Sequence, residues 1–481
     1  MPGKSELRWF YAIMIAFIAG CMFMVSRENY WVAAFPLVVL IGYLAVFSID
    51  TILLLIAFCT PLAIVLNDKS SGPALSIPGE PLMFGVMLLF IFKFVFEGKF
   101  DKRVLYHPIS LAISFYLFWM FVTTLTSTDR VVSFKYLVSQ LWFIVPFYFL
   151  GTQLFRNIGN IKKFVWLYST TLFIVIAYTI FNHAANGWTQ KAAHWVMSPF
   201  YNDHTAYAAA LALFIPPMIA FMRNPLASVR ERFGSGFMVV VLLTAIVLSY
   251  TRAAWLSLLV ALACYFIYAF RIRFITVFVV GAGLLSAFLI FRTDIFIKLE
   301  RNRQDSATDF NQHIQSISNI STDASNLERI NRWNSAFRMW EIKPFWGWGP
   351  GTYQFNYAPF QKASEMTIIS TNVGDMGNAH SEYIGRLAES GVFGAISMLL
   401  IVITIIYRGS ILYSREKDPA IRRLTLGILL ALVSYFTHGV LNNFLDTDKL
   451  SVPVWAFVAM LVALDVYHSN RQGVAQKSNS F

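Results

Sequence analysis

Long apolar runs separated by short polar links fill almost the whole chain. One long polar stretch interrupts them late, at residues 292–380. The runs reach about 16–22 residues, the length a helix needs to cross hydrocarbon. None shows the alternation of a membrane β-barrel, whose segments are about ten residues long. The pattern predicts spans near 9–25, 31–47, 51–66, 82–96, 109–126, 134–152, 164–182, 203–222, 236–251, 254–270, 274–291, 383–407, 424–441 and 451–467. Only Ser48-Ile49-Asp50 separates the second from the third. Residues 236–270 are apolar apart from Ser249-Tyr250-Thr251-Arg252. As one helix they would run about 52 Å at 1.5 Å per residue, against a core of about 30 Å. Two crossings with Arg252 at the turn are therefore expected. The fold class is an all-α polytopic membrane protein of 12–14 helices, with no obvious internal repeat.

The polar stretch divides the chain into 1–291, a loop at 292–380 and 381–481. Residues 298–326 are rich in Ser, Asn, Gln and Asp, the composition of a mobile segment. Over 326–343, Leu327, Ile330, Trp333, Phe337 and Trp340 recur at spacings of three and four. That predicts an amphipathic helix suited to a membrane interface. Pro344, Gly347, Gly349, Pro350 and Gly351 then predict a turn. No Lys-Ser/Thr follows those glycines, so they do not form a nucleotide-binding P-loop. The stretch ends in Asn378-Ala379-His380-Ser381-Glu382-Tyr383, where the next span begins.

Composition agrees with the pattern. Of 481 residues, 57% are hydrophobic and 13% charged, about half the charge of a soluble domain. The formal charge is +12. Basic residues concentrate in alternate loops: 20 fall in one set, including Arg223, Lys417, Arg422 and Arg423, and 6 in the short loops of the other. By the positive-inside rule the first set is cytoplasmic, both termini lie inside and the loop 292–380 lies outside. The charge is then a topology signal, with no call for nucleic acid. No cleavage site follows the first apolar run before Arg27-Glu28, so that run is expected to stay as an anchor. Cys21, Cys59 and Cys264 lie inside apolar runs and suggest neither disulfides nor metal ligands.

Several polar residues could carry chemistry. An arginine between two spans, such as Arg252, is costly and usually functional, though it can also snorkel to headgroups. His380, followed by Glu382 and Glu389, can take a proton from a hydroxyl at neutral pH; it can equally be an interfacial histidine with ordinary hydrogen bonds. Asp203 and His204 at one span start, and His438 with Asn442 and Asn443 at another span's end, can converge on one cavity or serve as interhelical polar contacts. Arg329 and Arg332 can fork onto a diphosphate or form a solvated face. Asp446-Thr447-Asp448 has the form of a metal-binding DxD, but a Mg²⁺ site needs carboxylates together with phosphates. No Cys/His spacing suggests a metal, and none is expected.

Two segments resemble the signature stretches of the O-antigen ligase/polymerase family. They are ERINRWNSAFRMWEIKPFWGWGPGTYQF (328–355) and NAHSEYIGRLAESGVFG (378–394). Arg329 stands four residues before Trp333, and Pro344 precedes the turn of Gly347, Gly349 and Gly351. His380 leads to Leu387, Glu389, Gly391 and Gly394. LSYTRAAWLSLL (248–259) resembles the family's Arg-bearing turn between spans. YNDHTAYAAALALFIPP (201–217) resembles its polar span start, with His204 where Asn is common. The resemblance implies a GT-C-like membrane transferase that uses an undecaprenyl-diphosphate-linked glycan at the periplasmic face of the bacterial inner membrane, without metal or other cofactor. His380 would activate the acceptor hydroxyl; Arg252 and Arg329 would hold the diphosphate. Asp203, His204, Arg332, Glu382, Glu389 and His438 would support them. The reading is an O-antigen ligase with lipid A-core as acceptor. The alternatives are an O-antigen or exopolysaccharide polymerase, a protein O-oligosaccharyltransferase and, from another class, a transporter. A transporter would leave the tryptophan-bearing outer helix without a role, and no matching halves with broken spans are visible.

Overall fold

The computed structural model describes residues 42–44, 47–66, 75–98, 100–272, 324–367, 370–371 and 377–469, with scattered residues from 11 to 27 and at 276, 283 and 286. The chain divides into two units, Met1–Leu55 and Ile56–Phe481. The described residues of the first, up to its last few, are almost all helical. Helix α1 (Ile49–Cys59) runs across the boundary, and the second unit holds every later element.

Ten helices among the described residues are long and apolar enough to cross a membrane, and the chain is an all-α polytopic membrane protein. They are α2 (Gly79–Glu97), α3 (Pro108–Leu125), α4 (Arg130–Ile144, continuing to Leu154), α5 (Ile158–Ala185), α6 (His204–Met222), α7 (Val229–Leu248) and α8 (Arg252–Ala269). After the helix α9 (Ala324–Ile342) come α10 (Ile384–Arg415), α11 (Pro419–His438) and α12 (Asp448–Ala463, continuing to His468). Each matches an expected span, and residues 236–270 do form two helices. The runs at 31–47 and 274–291, and the polar segment 298–323, fall largely or wholly outside the described residues; the run at 9–25 does so in part.

The expected span at 51–66 is a difference. There α1 continues only through a 3₁₀ turn, Thr60–Leu62, bearing Pro61. Fourteen residues, Ile49–Leu62, reach about 21 Å at 1.5 Å each, short of the hydrocarbon core. The chain then extends into β1 (Ile64–Leu66), antiparallel to β2 (Leu75–Ile77). Buried Lys449 ties this corner down: its Nζ donates to the carbonyls of Thr60 and Ala63, both at 2.6 Å. Those carbonyls close the end of the turn, where helical oxygens lack partners.

Helix α12 is the centre of the bundle. Every residue from Asp448 to Leu464 is buried, and beyond Ser451 all of them are apolar, as expected of a fully enclosed helix. By contrast α2 and α8 expose Phe92, Phe96, Leu256 and Leu259, the outward surface of a bundle in lipid. Pro146, lacking an N–H, opens α4 into a wider π turn over Val145–Leu150, which packs on α12.

The glycine-rich turn after α9 is a docking device. Helix α10 breaks at Gly391, whose φ of +67° and ψ of −168° belong to glycine. The N–H of Val392 there donates to Pro344 O at 2.9 Å, and Trp348 N and Gly349 N donate to Ala388 O and Glu389 O at 3.1 and 2.8 Å. On its other side Trp348 O accepts from Thr128 N and Oγ1 at 2.9 and 2.7 Å. A Cβ at Gly347 would lie 2.3 Å from Glu389 O. The turn therefore wedges backbone to backbone between the α3–α4 link and the break in α10.

Candidate functional site

The site assembles at the His380 end of the bundle, beginning with the two residues around the histidine. Asn378 Oδ1 accepts from His380 N at 3.0 Å, an Asx turn that tolerates the left-handed backbone of His380, φ +48°. Ser381 Oγ accepts from the N–H groups of Tyr383 and Ile384, both at 3.3 Å, and so ties down the start of α10. His380 is thus held half-buried just before the first turn of a long helix.

Helix α9 is placed by its tryptophan. Trp333 Nε1 donates to His380 O at 3.4 Å. Arg329 lies one turn earlier on the same helix face. Its charge acts on His380, on His204 at the start of α6, and on His438 at the end of α11. Asp203 acts on the same three histidines. Burial, then the guanidinium groups of Arg329 and Arg332, push His380 down to about 4, partly opposed by Glu328 and Asp203. At neutral pH the imidazole is therefore uncharged and able to accept a proton.

The structure brings together His380, Arg329, Asp203, His204 and His438. Asp203 caps α6 through Thr205 N and Ala206 N, at 2.6 and 2.9 Å. His204 packs against His194 with ring centroids 4.1 Å apart and the ring planes tilted by 45°. His438 is buried, and neither ring nitrogen has a hydrogen-bond partner among the described residues. Arg252 opens α8, and the preceding Thr251 Oγ1 donates to His204 O at 3.2 Å, latching the α7–α8 turn to the start of α6. Tyr250 in that turn takes φ +51°.

Other expected residues are occupied structurally. Arg332 is buried; its Nε donates to Glu328 Oε1 at 2.6 Å and its guanidinium lies 3.9 Å from the Tyr357 ring centroid. A Cβ on Gly377 would lie 1.8 Å from its Nη1. Arg332 thereby fixes the loop between α9 and His380. Glu382 Oε1 accepts from Tyr435 OH, Phe444 N and Leu445 N, at 2.9, 2.7 and 2.9 Å, stapling α10 to the α11–α12 link. Glu389 pairs with Arg386 at 3.4 Å and accepts from Tyr353 N at 3.2 Å.

Sequence reasoning missed Arg386 and Tyr136. With Glu382, Glu389, Asn443 and Asp446 they line a polar cavity of about 210 Å³, which Asn378, Ala379 and Ser381 join from either side of His380. Arg386 lies over the Tyr136 ring at 5.0 Å. An arginine six residues past a candidate base, in the first turn of a span, was the available signal. Asp446 lines this cavity. Asp448 instead accepts from Ser76 Oγ at 2.6 Å. Among the described residues no three His, Cys, Asp or Glu side chains gather as metal ligands would.

Residues 237–399 match the family described as O-antigen ligase. No curated protein matches the chain. The matched stretch runs from α7 into α10. It contains Arg252, Arg329, Arg332, His380, Glu382 and Glu389; Asp203, His204 and His438 lie outside it. Over those residues the turn between spans, the tryptophan-anchored helix, the glycine wedge and the histidine before α10 all fall within one continuous match, and through that stretch the chain is similar to the O-antigen ligase family.

Proposed function

We propose that this protein transfers a glycan from undecaprenyl diphosphate to a hydroxyl of lipid A-core, at the periplasmic face of the inner membrane. The observation that carries the reading is the neutral, half-buried His380 within the field of Arg329, which stands one turn before the tryptophan that anchors α9 to His380. In the reaction the acceptor oxygen forms a bond to the anomeric carbon while the carbon–oxygen bond to the diphosphate breaks. An unprotonated ring nitrogen of His380 takes the hydroxyl proton, and undecaprenyl diphosphate leaves with one additional negative charge. Arg329 and Arg252 stabilise that charge, and fixed guanidinium groups do so without reorganising. The bound diphosphate also offsets the field that depresses His380, so the base strengthens once the donor is seated. The polar cavity beside His380 suits an acceptor sugar, since three of its ionisable groups are carboxyls and only one is an arginine.

Deleting the gene tests the acceptor. Loss of a ligase leaves long undecaprenyl-linked glycan and bare-core lipopolysaccharide. Core carrying a single repeat unit identifies a polymerase instead, and intact lipopolysaccharide with unglycosylated secreted protein identifies a protein glycosyltransferase.

A further inference from the structure

We propose that the opposite end of the bundle holds an anionic phospholipid, in a cavity between α6, α7, α8, α11 and the end of α10. The cavity encloses about 800 Å³, within the range of about 300–1,000 Å³ of small-molecule sites. Arg422 stands sixteen residues before His438 on α11, about 24 Å along the helix at 1.5 Å per residue. The cavity is therefore separate from the transfer site and lies at the other membrane face.

Its walls are apolar: Ile215, Ile219, Leu243, Leu258, Leu262 and Leu430 contribute to them. Arg223, Lys417, Arg422 and Arg423 also line it, and among the described residues no carboxylate does. Their partners are neutral. Arg223 Nη1 donates to Tyr265 OH at 3.0 Å, and Arg422 lies over the Tyr413 ring at 4.5 Å. The Nε atoms of Arg422 and Arg423 are buried with no acceptor among the described residues. Nearby carboxylates hold backbone: Glu416 Oε1 accepts from Lys417 N and Asp418 N, both at 2.8 Å, and Asp418 accepts from Ala420 N at 2.7 Å.

Four uncompensated cations against apolar walls call for an anion with a hydrocarbon tail. Guanidinium groups fork onto phosphate oxygens, and basic pockets between spans hold anionic headgroups. The positive-inside rule accounts for basic residues at this end. It does not account for their convergence on one cavity with buried donors left open. A zwitterionic lipid brings its own cation to the four already there, and free phosphate leaves the apolar walls uncovered.

The test is native mass spectrometry of the full chain in detergent, titrated separately with phosphatidylglycerol, phosphatidylcholine and inorganic phosphate. Each basic contact contributes about fivefold in affinity before screening, so phosphatidylglycerol should bind at least about tenfold more tightly than phosphatidylcholine. The double variant Arg422→Gln/Arg423→Gln should lose that preference. Leu262→Trp, which keeps every charge and fills apolar space, should weaken phosphatidylglycerol binding and serves if the double variant fails to fold. Equal binding of the two lipids, or a double variant with undiminished preference, overturns the proposal. So does inorganic phosphate that binds alone and displaces the lipid, which would make the site one for free anions. Transfer activity is not the readout, so this result and that of the transfer reaction stand apart.

Discussion

His380 owes its placement to two neighbours and its protonation state to burial and then to two arginines. Asn378 and Ser381 shape the backbone on either side, while Arg329 and Arg332, after burial, hold the ring neutral. His380→Ala should lower transfer by about 10²–10⁴-fold, the range for loss of a general base, with expression and insertion unchanged; near wild-type transfer would remove His380 from the mechanism. Arg329→Lys and Arg252→Lys should each impair transfer because an ammonium does not reproduce the planar fork. Arg332→Ala should act differently. It unties Glu328, Tyr357 and the loop to Gly377, so its first effect should be a lower unfolding temperature. If Arg332→Ala is inactive yet as stable as wild type while Arg329→Ala is active, the roles of the two are exchanged. The pH profile derives from the lowered His380. A base neutral in the free protein above about 4 gives kcat/KM that is level from about pH 5 to 8 and falls only on further acidification. A limb centred between about 6 and 7 would mean that the imidazole does not feel the arginines.

At the scale of elements, the signature motifs turn out to be largely architectural. The spacing Arg329 to Trp333 is one helical turn because Trp333 registers α9 on His380 and presents Arg329 on that face. The glycines of the turn let backbone reach backbone at the break in α10. Gly391→Ala should therefore be strongly destabilising: its Cβ would lie 2.1 Å from Phe345 O at a backbone angle that excludes side chains, a loss of more than about 2 kcal/mol by the usual scale of strain and clash. Gly85→Ala, in α2 with nothing within 4 Å, is the control and should be neutral or slightly stabilising. Thermal unfolding of both variants checks this. The helical nature and bounds of α9 were legible because its apolar residues recur at helical spacing. The docking of the glycine turn was not, since close backbone contact to α10 and to Thr128 leaves no mark on local periodicity.

For the whole molecule, hydropathy located all ten spans among the described residues, because the length needed to cross hydrocarbon is a strong constraint. It also drew a span at 51–66, where the apolar run is real but Pro61 and a hairpin end the helix early. From the chain, His380, Arg329 and Arg252 could be singled out as candidates. Arg386, Tyr136 and the role of Glu382 could not, because their partners lie up to 250 residues away in sequence. Orientation is open to direct test. With Cys21, Cys59 and Cys264 replaced, Ser364→Cys on the exposed loop after α9 should react with an impermeant thiol reagent in intact spheroplasts. Labelling only after lysis would reverse the topology. The central claim is glycan transfer from a diphosphate-linked lipid by His380. Purified protein in proteoliposomes, supplied with undecaprenyl-diphosphate glycan and lipid A-core, measures it directly by the conversion of core to glycan-bearing lipopolysaccharide. The wild type should convert core and His380→Ala should not; conversion undiminished in His380→Ala, or donor lengthening with the core untouched, would contradict the account.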